Sequence, residues 1–293
     1  MKIYDFMKYK KTWFGVSIAI LLLGLIYSFI VGGLNFGIDF TGGTSITAEV
    51  GKEFNVEEVR AISNKFDTNA IVTYGGLNKE LALIKTKINL NHDQQSAVYA
   101  DFKEKFGIEQ TNVLFESIGP VIGKELKNQA LWALFFSMIG ILAYVSLRFE
   151  WKFGLAAIIA LLHDVGMMLV VYVVLQIPIN ATFIAAILTI VGYSINDTIV
   201  VFDRMRENLK NHKKMDDSDL VNMSTNSTIT RSLNTSFTTL LTILALYIFG
   251  VPAIKDFALP LMVGVIFGTY SSIFIASPVW ALIRNKTKAA SSH

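Results

Sequence analysis

Six apolar runs divide the chain: approximately Trp13–Gly32, Gln129–Leu147, Phe153–Leu175, Ala181–Phe202, Ser236–Val251 and Phe257–Ile283. Runs of this kind predict membrane-spanning helices, which need about 20 apolar residues each. The fifth is short on apolar residues, so its helix is expected to start earlier, within a polar run. Six spans put both termini on one side.

Between the first two runs the pattern changes. TSITAEV (Thr44–Val50) alternates and reads as a strand, and Val56–Phe66 carries apolar residues at 56, 59, 62 and 66, a helical stripe. AIVTY (Ala70–Tyr74), followed by Gly75-Gly76, and ELALIKTK (Glu80–Lys87) read as strands. Gln94–Phe106 shows a second helical face, and TNVLFES (Thr111–Ser117) closes the series. The order β-α-β-β-α-β predicts a ferredoxin-like domain. That fold hosts many functions and specifies none. His92, beside Asp93, reads as a solvated helix-start residue. The expected architecture is an α-helical membrane bundle of six transmembrane helices with one α+β ferredoxin-like (βαββαβ) extracytoplasmic domain.

Composition agrees with the pattern. Hydrophobic residues make up 53% and charged residues 17%, with mean hydropathy +0.49. These values fit a membrane protein. The absence of cysteine excludes disulfides, iron–sulfur clusters and thiolate zinc sites. Net charge is +3, and its distribution is more telling than its sum. Lys2, Lys8, Lys10 and Lys11 precede the first span. Arg148 and Lys152 follow the second. Arg204, Arg206, Lys210, Lys213, Lys214 and Arg231 lie between the fourth and fifth. Arg284, Lys286 and Lys288 follow the sixth. The opposite short loops are nearly bare, so the positive-inside rule predicts cytoplasmic termini. Residues 33–128, with 13 acidic and 10 basic side chains, are then outside. The expected organisation is a cytoplasmic tail 1–12, a first helix 13–32, an extracytoplasmic domain 33–128, a five-helix region 129–284 with a cytoplasmic loop 203–228, and a cytoplasmic tail 285–293. The first run is too long for a signal-peptide core and lacks an A-x-A-like site, so an uncleaved anchor is expected. The N-x-[ST] triplets at Asn222, Asn226 and Asn234 fall on the cytoplasmic side and are discounted as glycosylation sites.

Candidate chemistry lies inside the spans. The fourth holds Asn196-Asp197. A carboxylate there costs roughly 2.5–3.5 kcal/mol on insertion scales, so it implies function or a strong hydrogen-bonding role. Thr182, Ala186, Thr189, Tyr193, Asn196, Asp197 and Val200 are expected near one face. Arg231, Thr235, Thr238 and Thr242 form a polar line on the fifth helix. Arg231 is expected to pair with Asp197 or to snorkel to the interface. In the third span, Ala157, Ala160 and Asp164 share a face beside His163. Asp164 lies about 16 Å from Phe153 at 1.5 Å per residue, near mid-membrane. His163 and Asp164 are a candidate proton relay, or His163 bonds a neighbouring carbonyl. Gly264 and Gly268, continuing into Ser271 and Ser272, suit close helix packing.

Enzyme readings find little support. Neither Leu162-His163-Asp164 nor Ile195-Asn196-Asp197 has the G-x-G-D surround of intramembrane aspartyl proteases. Gly42-Gly43 lacks the Lys-Ser/Thr of a nucleotide loop. The basic segment Arg204–Lys214 has no interleaved aromatics, so anionic lipid or a protein partner fits it better than nucleic acid. No enzyme activity and no metal site are expected.

The chain resembles the SecF branch of the SecD/SecF family of protein-export membrane subunits, within the resistance-nodulation-division (RND) superfamily. GIDFTGGT (Gly37–Thr44), SIGPVIGKEL (Ser117–Leu126), LLHDV (Leu161–Val165), VGYSINDTIVVFDRMREN (Val191–Asn208), TRSLNTSFTTL (Thr230–Leu240) and GTYSSIFIASPV (Gly268–Val279) carry the resemblance, in order across nearly the whole chain. It implies a bacterial plasma-membrane subunit that pairs with SecD. Together they use the proton-motive force to promote preprotein movement through SecYEG. YajC and YidC are candidate further partners, and protons serve as coupling ion with no cofactor. The implied proton-path residues are Asp197 and Arg231, with Asn196 and Thr235 in support. The motif after the first helix comprises Gly37, Asp39, Thr41, Gly42 and Gly43. No SecD half is expected within this chain. Two other readings stay open: half of an RND-type exporter of lipids or small molecules, and a scaffold that conducts no protons.

Overall fold

The computed structural model describes residues 4–75, 79–250 and 252–291. Lys2, Gly76, Val251 and the side chain of Lys288, named above, lie outside the described set. Ten α-helices and four strands follow in the order α1 (Lys10–Ile30), α2 (Ile38–Thr41), β1 (Gly43–Glu49), α3 (Val56–Ser63), β2 (Ile71–Gly75), β3 (Leu81–Thr86), α4 (His92–Phe106), β4 (Val113–Ile118), α5 (Pro120–Arg148), α6 (Trp151–Val174), α7 (Ala181–Asn211), α8 (Asp217–Phe249), α9 (Pro252–Ser271) and α10 (Ser277–Ser291). A π segment, Ser272–Ala276, joins α9 to α10, and the three form one continuous span. Among the described residues, six helical units are long and apolar enough to cross a membrane.

The small sheet has strand order β2-β3-β1-β4, antiparallel throughout. Ile46 of β1 lies opposite Ile84 of β3 and Phe115 of β4. Alternation sends Ile46, Ala48, Ala82 and Ile84 to one face. Val59 and Ile62 of α3 and Val98 and Phe102 of α4 pack against it. Local chemistry fixes the ends of α4: Asn91 and Gln94 form a reciprocal capping box, and Gly107 closes the helix with φ +70°.

In the bundle, α6, α7 and the α9–α10 unit form the centre, while α1, α5 and α8 expose most of their apolar surface. Phe153 of α6 and Phe202 of α7 meet with ring centroids 4.8 Å apart, and Trp280 of α10 stacks on Phe153 at 4.9 Å. Small residues set the closest approaches. An added Cβ at Gly24 of α1 would lie 2.4 Å from Val170 of α6. One at Gly264 of α9 would lie 2.4 Å from Ile190 of α7. These contacts are the close helix packing expected of the Gly264/Gly268 pair.

The fifth span does begin in the polar run, because α8 starts at Asp217 behind the Asp216 cap. Residues 203–228, expected as a loop, are helical except for the turn 212–216. Apolar count alone misses this: Met205, Leu220 and Val221 are buried in one apolar cluster with Trp280, so amphipathic extensions of α7 and α8 continue past the apolar runs.

At that end the residues before α1 form a strap. The Tyr4 and Met7 N–H groups donate to Asn226 Oδ1 (2.9 Å) and Asn222 Oδ1 (3.0 Å). In return Asn226 donates to the Tyr4 carbonyl (2.8 Å) and Asn222 to Asp5 (2.8 Å). Two of the three discounted N-x-[ST] asparagines therefore hold the N-terminal segment. Arg284 pairs with buried Asp217 at 3.2 Å nearby.

Candidate functional site

Two carboxylates lie inside the bundle. Asp197 is 9% exposed. One carboxylate oxygen accepts from the Ser232 hydroxyl at 2.5 Å. The other, Oδ2, is buried and meets no donor in hydrogen-bonding geometry among the described residues, with the Ser272 hydroxyl the nearby group that acts on the carboxylate. The expected direct pairing with Arg231 is not what forms. Residues 231 and 232 point about 100° apart on a helix. Packing of α8 turns Ser232 and Ser236 inward and Arg231 outward. Arg231 is exposed beside the Ser232 that holds Asp197.

The fourth-span stripe is also rotated from its expected phase. Ala186 and Asp197 are buried, Thr182, Tyr193 and Val200 are half-buried, and Thr189 and Asn196 are exposed. The close approach of α9 explains the rotation, since Gly264 and Gly268 sit over Ile190 and Ser194 and draw that edge of α7 inward. On α8, Arg231, Thr235, Thr238 and Thr242 are all exposed. The three threonines satisfy themselves by donating to carbonyls one turn back: Thr235 to Arg231 (2.9 Å), Thr238 to Asn234 (3.1 Å) and Thr242 to Thr238 (3.1 Å).

Asp164 is 1% exposed and better supplied. Ser194 (2.7 Å) and Ser271 (2.8 Å) both donate to its Oδ2. Oδ1 lies 3.1 Å from His163 Nδ1. His163 Nε2 lies 3.1 Å from Ser17 Oγ on α1, Ser17 donates to the Tyr270 hydroxyl (3.2 Å), and Tyr270 donates to the Trp13 carbonyl (3.1 Å). The Tyr270 ring stacks on His163 at 5.7 Å. His163 thus bonds a neighbouring hydroxyl rather than a neighbouring carbonyl. Hydroxyls also fill the space towards Asp197: Ser272 pairs with Thr198 (2.8 Å), the residue after Asp197, and Ser236 pairs with Thr269 (2.5 Å). The π segment begins at Ser272, the kind of local irregularity that recurs at functional sites.

The glycine motif lies apart from both carboxylates and joins the sheet domain to the bundle. Asp39 Oδ2 accepts from the Ala181 N–H at the start of α7 (2.8 Å). The Gly37 N–H donates to the Ile179 carbonyl (2.7 Å), and Thr41 donates to the Gly37 carbonyl (3.1 Å). Gly42 and Gly43 have φ of +77° and +144°, and a Cβ at 43 would lie 2.2 Å from the Thr86 carbonyl oxygen. Only glycine fits there.

The residues that sequence reasoning missed are hydroxyls: Ser17, Ser194, Ser232, Ser236 and Thr269. A partial signal existed in the i,i+4 pairs Ser194/Thr198 and Ser232/Ser236, which put small polar groups on one helical face.

Fold and site together define a multi-pass membrane protein whose bundle encloses two carboxylates in a hydroxyl network and whose segment between the first two spans is a small antiparallel α+β domain. Residues 98–286 match the family described as protein export membrane protein SecD/SecF, C-terminal, and residues 27–53 match the SecD/SecF GG motif. The chain belongs to the SecD/SecF family of protein export membrane proteins. It is 38% identical to the protein translocase subunit SecF of Haemophilus influenzae over 93% of this chain and 83% of that protein. It is 37% identical to the SecF subunit of Petrotoga mobilis over 94% of each. The crystal structure of SecDF, a translocon-associated membrane protein from Thermus thermophilus, superposes with a TM-score of 0.84 at 37% identity. That match covers 97% of this chain but only 39% of the SecDF chain. SecDF in its super-membrane-facing form superposes at 0.72 and 36% identity, over 100% of this chain and 40% of that one.

Proposed function

We propose that this chain is the SecF-type half of a proton-driven unit of protein export in the bacterial plasma membrane. It works with a SecD-type subunit, and the pair uses the proton-motive force to promote preprotein movement through SecYEG. YajC and YidC are further candidate contacts. The reading needs no cofactor beyond the coupling proton and assigns no enzyme activity. Both termini are cytoplasmic, as the positive-inside rule argues, and the domain 33–128 is outside. That domain is read as ferredoxin-like, which its element order and its strand order β2-β3-β1-β4 support.

The observation that carries the reading is the half-satisfied Asp197 carboxylate. One oxygen is held by Ser232 and the other is buried and meets no donor in hydrogen-bonding geometry among the described residues. Such a group accepts a proton on its open oxygen, and a buried carboxylate without a full hydrogen-bond complement is costly enough that function must retain it. Arg231 stays charged throughout and biases that carboxylate from one side. The exposed polar edge of α7 and α8, with Asn196, Arg231, Thr235 and Thr238, is read as the seat of the second subunit. Polar side chains at membrane depth face partner helices or water, not lipid. The names of the similar proteins, SecF and SecDF, support the pairing with a SecD-type subunit.

Proton flux tests it. The chain and its SecD-type partner are co-purified, reconstituted into liposomes and given an imposed pH gradient. Asp197→Asn keeps the shape of the side chain but cannot carry the proton, and is expected to lower flux at least about tenfold with the complex intact. Flux equal to that of the unaltered complex overturns the reading and favours the scaffold.

A further inference from the structure

The chain of hydrogen bonds ending on Asp164 has a direction, and the direction counts protons. A carbonyl oxygen only accepts, so Tyr270 gives its one hydroxyl hydrogen to Trp13 (3.1 Å). The Tyr270 oxygen then accepts the one hydrogen of Ser17 (3.2 Å). Ser17 has no hydrogen left for His163 Nε2, 3.1 Å away, so that contact is an imidazole N–H donating to Ser17 Oγ. On the other side of the ring, Nδ1 and Asp164 Oδ1 stand 3.1 Å apart. A bare ring nitrogen and a carboxylate oxygen repel at that distance, so a hydrogen lies between them. Both Ser194 and Ser271 donate to Oδ2, which leaves Oδ1 as the oxygen that shares it.

We propose that His163 and Asp164 form a second proton-binding site, in which one proton is shared between Nδ1 and Oδ1 while Nε2 carries another. The pair is neutral as a unit, either as imidazolium with carboxylate or as imidazole with carboxylic acid. Neutrality fits the burial, since Ser17, His163 and Asp164 are 3%, 7% and 1% exposed. Loss of the shared proton leaves a net negative charge at membrane depth, an expensive state. The groups facing the pair are Ser17 from α1, Ser194 from α7, and Tyr270 and Ser271 from α9. Among the described residues, no Lys, Arg or Glu bonds to it. Ser17 and Tyr270 are positioning residues that fix which ring nitrogen is protonated. The site stands independently of the role given to Asp197.

Nitrogen-15 NMR of the histidine-labelled full chain in lipid nanodiscs at neutral pH tests it, with the His163 signals assigned by their loss in His163→Gln. The expected result is a protonated Nε2 in the unaltered chain. In Tyr270→Phe the ring that stacks on His163 remains, but the Ser17 hydroxyl is free to turn and donate to Nε2. The Nε2–H signal is then expected to weaken or disappear as the ring hydrogen moves to Nδ1. An unprotonated Nε2 in the unaltered chain overturns the proposal, and so do His163 shifts that Tyr270→Phe leaves unchanged. The first criterion does not use Tyr270→Phe, so it holds whether or not that variant folds.

Discussion

Inside a bilayer a carboxylate is held by hydrogens brought to it, and the two here are supplied differently. Asp164 has three contacts and Asp197 one. Ser232→Ala is therefore expected to remove the one well-formed hydrogen bond to Asp197 and to destabilise the chain by about 1–3 kcal/mol. Unfolding in detergent by thermal melt or denaturant reads the loss, and Ser232→Thr should restore most of it. An unchanged midpoint would mean that Ser232 is not what holds Asp197. Both aspartates were visible in the sequence because a charge in an apolar run stands out. Ser232 was not, for two reasons. A serine in a span is unremarkable, and the neighbouring arginine offers a stronger electrostatic cue. One residue of helical phase separates the two, and only packing against α7 decides which turns inward.

At the scale of the element, periodicity and apolar runs located the strands to within a few residues and found all six spans, but α5 begins at Pro120, nine residues ahead of its apolar run. They failed where helices run on through polar sequence, as α7 and α8 do between 203 and 228. Burial there depends on what α10 offers, and no local window contains that information. The Gly264/Gly268 pair was legible as a packing motif, but its partner was not. With α7 now known to cover it, Gly264→Leu is expected to force apart α7 and α9, because a Cβ alone would meet Ile190 at 2.4 Å. Overpacking of this kind costs about 1–3 kcal/mol. Gly140→Leu on α5 is the control, since a Cβ there meets nothing within 4 Å. The expected outcome is a lowered unfolding midpoint for the first and an unshifted one for the second. Equal midpoints would show that the α7–α9 contact tolerates the added bulk.

The molecule as a whole presents an unequal surface. Leu131, Trp132, Phe135 and Phe136 of α5 are exposed and apolar, as lipid requires. The edge carrying Thr189, Gly192, Asn196 and Arg231 is exposed and small or polar. A Cβ at Gly192 meets nothing within 4 Å of this chain. Gly192→Trp is thus expected to leave the isolated chain's stability within about 0.5 kcal/mol. It should reduce recovery of the SecD-type partner at least about tenfold, equivalent to ~1.4 kcal/mol of association. Co-purification from detergent extracts measures this, and full recovery would move the partner's seat elsewhere. The sequence implied a missing partner through the family resemblance. Which edge it covers is a property of how six helices rotate against one another, and no single helix records it.

The strap that ties Tyr4 and Asp5 to the head of α8 also sets an order in time. These residues leave the ribosome ahead of all six spans, yet their partners Asn226 and Asn222 follow 222 and 217 positions later. At 5–20 residues per second, the segment before the first helix waits roughly 10–45 s for those partners. During that interval α1 rests in the bilayer with its Gly24 face uncovered until α6 arrives. The strap thus joins residues made ahead of the first span to residues made after the fourth.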